Sequence, residues 1–249
     1  YNGSNLSGSP GGQDNFAWTD KSNGWRTARY NLDSLIGKTN VVFRIAFGSN
    51  NDNPAGEYNG FAFDDIYIGE KKRQVLLEQY VNEGDPSSAS ARAYVAGLDS
   101  RNFIPIQYHL AVPNADPLNA ENPDDPATRA YVYGVTKPPV SVMDGVWGSY
   151  EFGNVIFDGD HTRITNIELD KRSLEAPSFD ITFTENASPA DVLDVAVTFK
   201  FIDAVNVFSA PLFMQVALVE TGINGNVNSL RKLLLSADDG LIDTSPVLD

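Results

Sequence analysis

The sequence predicts an α+β chain in three parts: a β-rich stretch over residues 1–70, a β-α-β-α-β stretch over 71–148 and a strand-rich stretch over 149–249. Three observations carry this. Apolar residues alternate with period two in "NVVFRIAFGS" (40–49), the signature of a half-buried strand. Helix-start signals follow apolar runs twice between 75 and 134, an order that implies a parallel or mixed sheet with helices packed on it. After residue 178, short alternating runs return at sandwich-like spacing.

Taken in order, "LDSLIGK" (32–38) reads as a turn into the strand at 40–49, in which Val41, Phe43, Ile45 and Phe47 share a face. "NNDNPAGEYN" (50–59) is a long polar turn, and "GFAFDDIYIGE" (60–70) is a second strand. "RQVLLEQY" (73–80) is a short buried strand. Asp85-Pro86 then opens a helix, because aspartate caps orphan N–H groups and proline at the first helical position loses nothing by lacking its own. Gly97 closes that helix. "FIPIQYHL" (103–110) is the next strand, "NPDDPATRAYVYG" (122–134) another capped helix, and "PPVSVMDG" (138–145) a returning strand. "HTRITNIELDKRSLE" (161–175) has room for a short helix. "SFDITFTE", "VLDVAVTFKFIDA" and "PLFMQVALVE" are strands, while "VNSLRKLLLSADDG" (227–240) fits a strand edge or a helix equally.

Composition limits the chemistry. With 18 Lys and Arg against 33 Asp and Glu, the net charge of −15 repels a phosphate backbone, so nucleic acid is not an expected partner. The absence of cysteine excludes disulfides, thiolate nucleophiles and iron–sulfur clusters. No run of 18 apolar residues is present, so no transmembrane helix is expected. The chain opens at Tyr1 without a methionine or a signal-peptide pattern, as a mature or excised segment would.

Two stretches resemble known families. "AWTDKSNGWRTARYNLDSLIGKTNVVFRIAFGSNNDN" followed by "YNGFAFDDIYIGE" resembles the closing half of a MAM-like jelly roll, a β-sandwich module of secreted multidomain bacterial proteins. Gly24-Trp25, Phe47-Gly48-Ser49 and the terminal Phe61-Ala62-Phe63-Asp64-Asp65-Ile66 carry that likeness. Residues 73–240 are similar to the thioredoxin-like outer-membrane lipoproteins of Bacteroidetes through "VLLEQY", "FIPIQYHL", "YGVTKPPVSVMDG" and "MQVALVETGINGN". That family joins a thioredoxin-like α/β core to a carboxy-terminal β-sandwich. Its pattern after the first strand is Glu-x-Phe-Thr-Gly-x-x-Cys-x-x-Cys-Pro. Glu78 and Tyr80 agree with it, whereas Asp85 and Ser88 occupy the cysteine positions, and Pro139 falls where these folds place a cis-proline.

The resemblances imply a jelly-roll fragment over 1–70, a thioredoxin-like core over 71–148 and a β-sandwich over 149–249, in a protein that is secreted or held at the outer membrane or cell surface. They imply a non-catalytic interaction or attachment module that meets a protein partner or a cell-surface component. Neither serine nor carboxylate can replace the thiolate in disulfide exchange. Two alternatives stay open: a glycan- or calcium-binding module, and the carboxy-terminal region of a larger secreted enzyme such as a peptidase.

Candidate sites each have a plainer reading. Asp52, Asp64 and Asp65 could meet as oxygen ligands for a calcium cofactor, but their loop lacks EF-hand order and Asx turns would use the same residues. Trp18, Trp25 and Tyr58, with Tyr30, could stack on sugar rings, although aromatics in sandwiches usually pack. His109 and His161 are too few for a multi-histidine metal centre, and no Gly-x-Ser-x-Gly elbow accompanies them. His109, on an apolar strand, reads as a half-buried histidine with its hydrogen bonds met.

Overall fold

The computed structural model describes residues 24–47, 60–71, 73–145, 156–177, 179–186, 189, 192, 194–202 and 215–234, with the backbone of four two-residue strands outside them. The chain divides into two compact units, Tyr1–Lys71 and Lys72–Asp249.

In the first unit, β1 (Ser4–Asn5) pairs antiparallel with β2 (Phe16–Ala17). A 3-10 turn at Asp33–Leu35 is fixed by the Asn31 side chain, which accepts from the Asp33 N–H at 2.7 Å, and by a Lys71–Asp33 ion pair at 3.5 Å. The strands expected at 40–49 and 60–70 differ from what is found: among the described residues neither segment is paired in a sheet. Alternation marks a chain able to bury one face, but a strand also needs a hydrogen-bonding neighbour. Without one, Phe43, Phe47, Phe61 and Phe63 each remain more than half exposed.

The second unit is built on one sheet. Its elements are β3 (Val75–Val81), α1 (Pro86–Ala96), β4 (Phe103–His109), α2 (Pro117–Glu121), α3 (Asp124–Val132), β5 (Val140–Met143), β6 (Ile156–Asp158) and α4 (Asn166–Ser173). After them come β7 (Phe179–Asn186), β8 (Asp194–Phe201), β9 (Leu212–Phe213), β10 (Ala217–Glu220), β11 (Ser229–Leu233) and β12 (Leu241–Ile242). Six strands run in the order β10-β11-β4-β3-β5-β6. β3 lies parallel to β4 and antiparallel to β5, β6 is antiparallel to β5, and β11 is parallel to β4.

The near-continuous apolar run of β3 follows from burial on both faces. Val75, Leu77 and Phe103 pack with Val95 of α1, Leu169 of α4, Met143, Phe157 and Ile164 on one side. Tyr80, Tyr108, Val140, Val142 and Leu230 pack with Ala130 and Tyr133 of the α3 region on the other. Each such apolar side chain contributes roughly 1.5–3 kcal/mol on leaving water.

Residues on both sides of position 149 share this sheet, so a division there does not match its hydrogen bonding. A boundary read from a change in strand density misses it, because strands distant in sequence complete the two edges. The ambiguous stretch near 227–240 is strand β11 at its start. The β7–β8 hairpin runs in unbroken register from Phe179↔Phe201 to Asn186↔Asp194, yet Ile181, Phe183 and Val195 stay exposed. Among the described residues neither face of that hairpin is buried as the expected sandwich requires.

Candidate functional site

The polar groups of the second unit gather at the carboxy-terminal ends of β3 and β4, where α1 begins. Asp85 has extended backbone angles and its Oδ2 accepts from the Ser88 N–H and the Ser88 hydroxyl, both at 2.8 Å. Partial burial pushes the Asp85 carboxyl upward. The hydrogen bonds from Ser88 and Ser87 and the Lys137 charge outweigh it and hold the group below the usual carboxylate range. Ser88 is fully buried, and its hydroxyl is tied to the carboxylate. Asp85 and Ser88 therefore close the helix end on each other. The peptide bond before Pro139 is cis, as is the one before Pro113.

Behind this turn lies a second network. His109 is buried at the end of β4, and its Nδ1 sits 3.1 Å from Asp116 Oδ2 while its Nε2 sits 3.4 Å from Ser229 Oγ. Asp116 caps α2: its Oδ1 accepts from Leu118 and Asn119 N–H, and its Oδ2 also accepts the Glu83 N–H. Burial drives the His109 pKa down and overcomes the opposing pull of Asp116 and Glu83, so the imidazole is neutral at pH 7. The network assigns its tautomer: Nδ1–H donates to Asp116, and Nε2 accepts from the Ser229 hydroxyl. Arg92 of α1 bonds to Glu83 and Asn226 and ties the loop before β11 to this pole.

Serine, histidine and aspartate thus stand in the order of a hydrolase relay, but Ser229 has no exposed surface from which to reach a substrate. Asp116 already accepts four hydrogen bonds. This arrangement holds β4, α2 and β11 together.

On the opposite sheet face, Glu78 is fully buried and receives both Arg129 Nε (2.6 Å) and Nη2 (3.0 Å) together with the Tyr133 hydroxyl (2.8 Å). Burial and the Glu78 charge push the Tyr133 phenol well above its ordinary value.

The other expected sites fare differently. Asp64 and Asp65 are exposed neighbours, the Asp65 N–H bonding Asp64 Oδ1 at 2.9 Å, and no cluster of three or more potential metal ligands occurs among the described residues. Asp52, Trp18 and Tyr58 lie outside the described residues. Trp25 is 74% exposed.

Sequence reasoning missed Glu83, Arg92, Asp116, Glu78, Arg129 and Ser229. Only Asp116 carried a local signal, since Asp116-Pro117 repeats the Asp85-Pro86 helix start. The expected cap in "NPDDPAT" is also different. Pro123 occupies the cap position with no side-chain bond, and Asp125 Oδ2 instead accepts the Leu233 N–H of β11 at 2.9 Å. Comparison with protein-family models, curated proteins and solved structures found no match.

Proposed function

We propose that this chain is a non-catalytic interaction or attachment module of a secreted or cell-surface bacterial protein, and that its second unit is a thioredoxin-like core without redox chemistry. The observation that carries the reading is the closed turn at the head of α1: Asp85 and Ser88 satisfy each other where thiol chemistry needs a reactive pair. Supporting it are the strand order β4-β3-β5-β6, with a helix leading from β3 to parallel β4 and two antiparallel strands beyond, and a chain without cysteine. The test has two arms. Insulin reduction with excess dithiothreitol should run at the reagent rate, and turnover above it refutes the redox-inactive core. Retention on outer-membrane fragments of Bacteroidetes cells should be lost when those fragments are shaved with protease; no retention on intact fragments refutes attachment.

One observation favours a second reading, a glycan-binding face in the first unit. Phe47 and Phe61 stack with ring centres 5.9 Å apart, Phe61 and Phe63 are 6.0 Å apart, and all three are exposed. An exposed cluster of rings suits a sugar's apolar face. Affinity electrophoresis in soluble polysaccharides checks this: Phe61→Ala should abolish any retardation, and unchanged retardation removes the reading.

A further inference from the structure

The β7–β8 hairpin is a ribbon with two unlike faces and two open edges. Because side chains alternate along a strand, its register puts Ile181, Phe183, Val195, Val197 and Phe199 on one face. Asp180, Thr182, Thr198 and Lys200 lie on the other. Among the described residues neither strand pairs with a third, and each runs 8 residues without a proline or a shift in register. A two-stranded ribbon is marginal in water, and further strands are what stabilise such a sheet. An unguarded edge of this length is a template for another strand.

The charges decide which strand can complete it. β7 carries only acids, Asp180 and Glu185, so its edge has nothing to attract a copy of itself. β8 carries one acid and one base, Asp194 and Lys200, on the polar face and equally spaced on either side of Val197. A second β8 laid antiparallel, Val197 against the partner's Val197, sets Asp194 opposite the partner's Lys200, and the two-fold axis repeats that pair. On the apolar face the same register sets Val195 opposite the partner's Phe199. A slip of one residue would mix the two faces, and a slip of two would lose both charge pairs. A parallel, in-register contact would set like charges together. Within the hairpin Lys200 lies opposite Asp180, yet among the described residues neither Asp194 nor Lys200 takes part in an ion pair. We propose that two copies of this chain pair through β8, antiparallel about Val197, to form a four-stranded sheet β7-β8-β8-β7. The inference goes beyond the interaction reading and stands without it.

The test uses the full chain. Sedimentation velocity over a dilution series should show a monomer–dimer equilibrium. Asp194→Lys and Lys200→Glu, both at exposed positions, should each weaken it about tenfold or more. An equimolar mixture of the two variants should recover it, because opposite charges again meet at both pairs. The chain has no cysteine, so one introduced thiol reports one position. Directly opposed residues of an antiparallel pair have Cα atoms about 4.5–5.5 Å apart, within reach of a disulfide, whereas diagonal neighbours lie about 7–8 Å apart. Val197→Cys should cross-link into dimers under oxidised glutathione, and Thr198→Cys about tenfold more slowly or not at all. This second arm decides the matter should a charge variant misfold. A chain that stays monomeric at every concentration, a mixture no stronger than its components, or cross-linking at Thr198→Cys as fast as at Val197→Cys overturns the proposal.

Discussion

Removing Arg129 should cost the second unit about 3–5 kcal/mol, the usual penalty for stranding a buried charge. Glu78 has no exposed surface, and Arg129 supplies two of the three hydrogen bonds to its carboxylate that come from side chains on the opposing helix region. In Arg129→Met the carboxylate keeps the Tyr133 hydroxyl but loses its counter-charge. A typical domain has about 5–15 kcal/mol of stability, so this loss is a large fraction of the whole. For a body of this size it lowers the melting temperature by about 6–20 °C. The double variant Glu78→Leu/Arg129→Met replaces both charges by apolar groups and should recover most of the loss, because the pair stabilises little beyond offsetting its own desolvation. Urea unfolding followed by far-ultraviolet circular dichroism measures all three proteins. Strict additivity, with the double variant as unstable as the sum of the single changes, would refute the reasoning, since coupled partners must deviate from it.

Asp85→Ala should cost about 1 kcal/mol through the lost helix cap, with a further penalty for the stranded Ser88 hydroxyl, read as a lower urea midpoint at unchanged slope. Because the folded Asp85 pKa lies below its ordinary value of 3.8, its stabilisation is present above that value and fades as pH falls through the lower folded pKa; Asp85→Asn should flatten the stability curve in that acid window. His109, whose folded pKa is also depressed, binds its proton more readily when unfolded. Stability should therefore fall as pH drops below 6.5, and His109→Gln should remove that slope, as pH-dependent thermal melts would register. Gly145→Ala should cost about 1–2 kcal/mol because Gly145 has φ +61°, and its new Cβ would lie 2.9 Å from the Tyr133 hydroxyl; an unchanged melting temperature would contradict this.

Local patterns in the sequence predicted the parts of the second unit that local physics decides. Asp85-Pro86 fixes where α1 starts, and Gly97 ends it at the residue expected. The apolar run of β3 marks a strand buried on both faces. What escaped depends on partners. The alternation at 41–47 specifies a face and says nothing about whether a neighbouring strand exists to pair with it. The polar residues of the candidate site were illegible for the same reason: His109 and Ser229 meet only because the sheet brings two distant strands into register. The pairing of Glu78 with Arg129 spans 51 positions with no local trace.

The parallel contact of β11 with β4 has a consequence for how the protein is made. His109 leaves the ribosome 120 residues before Ser229, the hydroxyl that later faces it. At about 5–20 residues per second, the edge of β4 waits roughly 6–24 seconds for its neighbour. During that interval it is an open strand edge able to pair with another nascent chain. A version ending near residue 205 makes the wait permanent and should precipitate under conditions that keep the full chain dispersed. The tail of the sequence is thus the late-arriving guard of its middle.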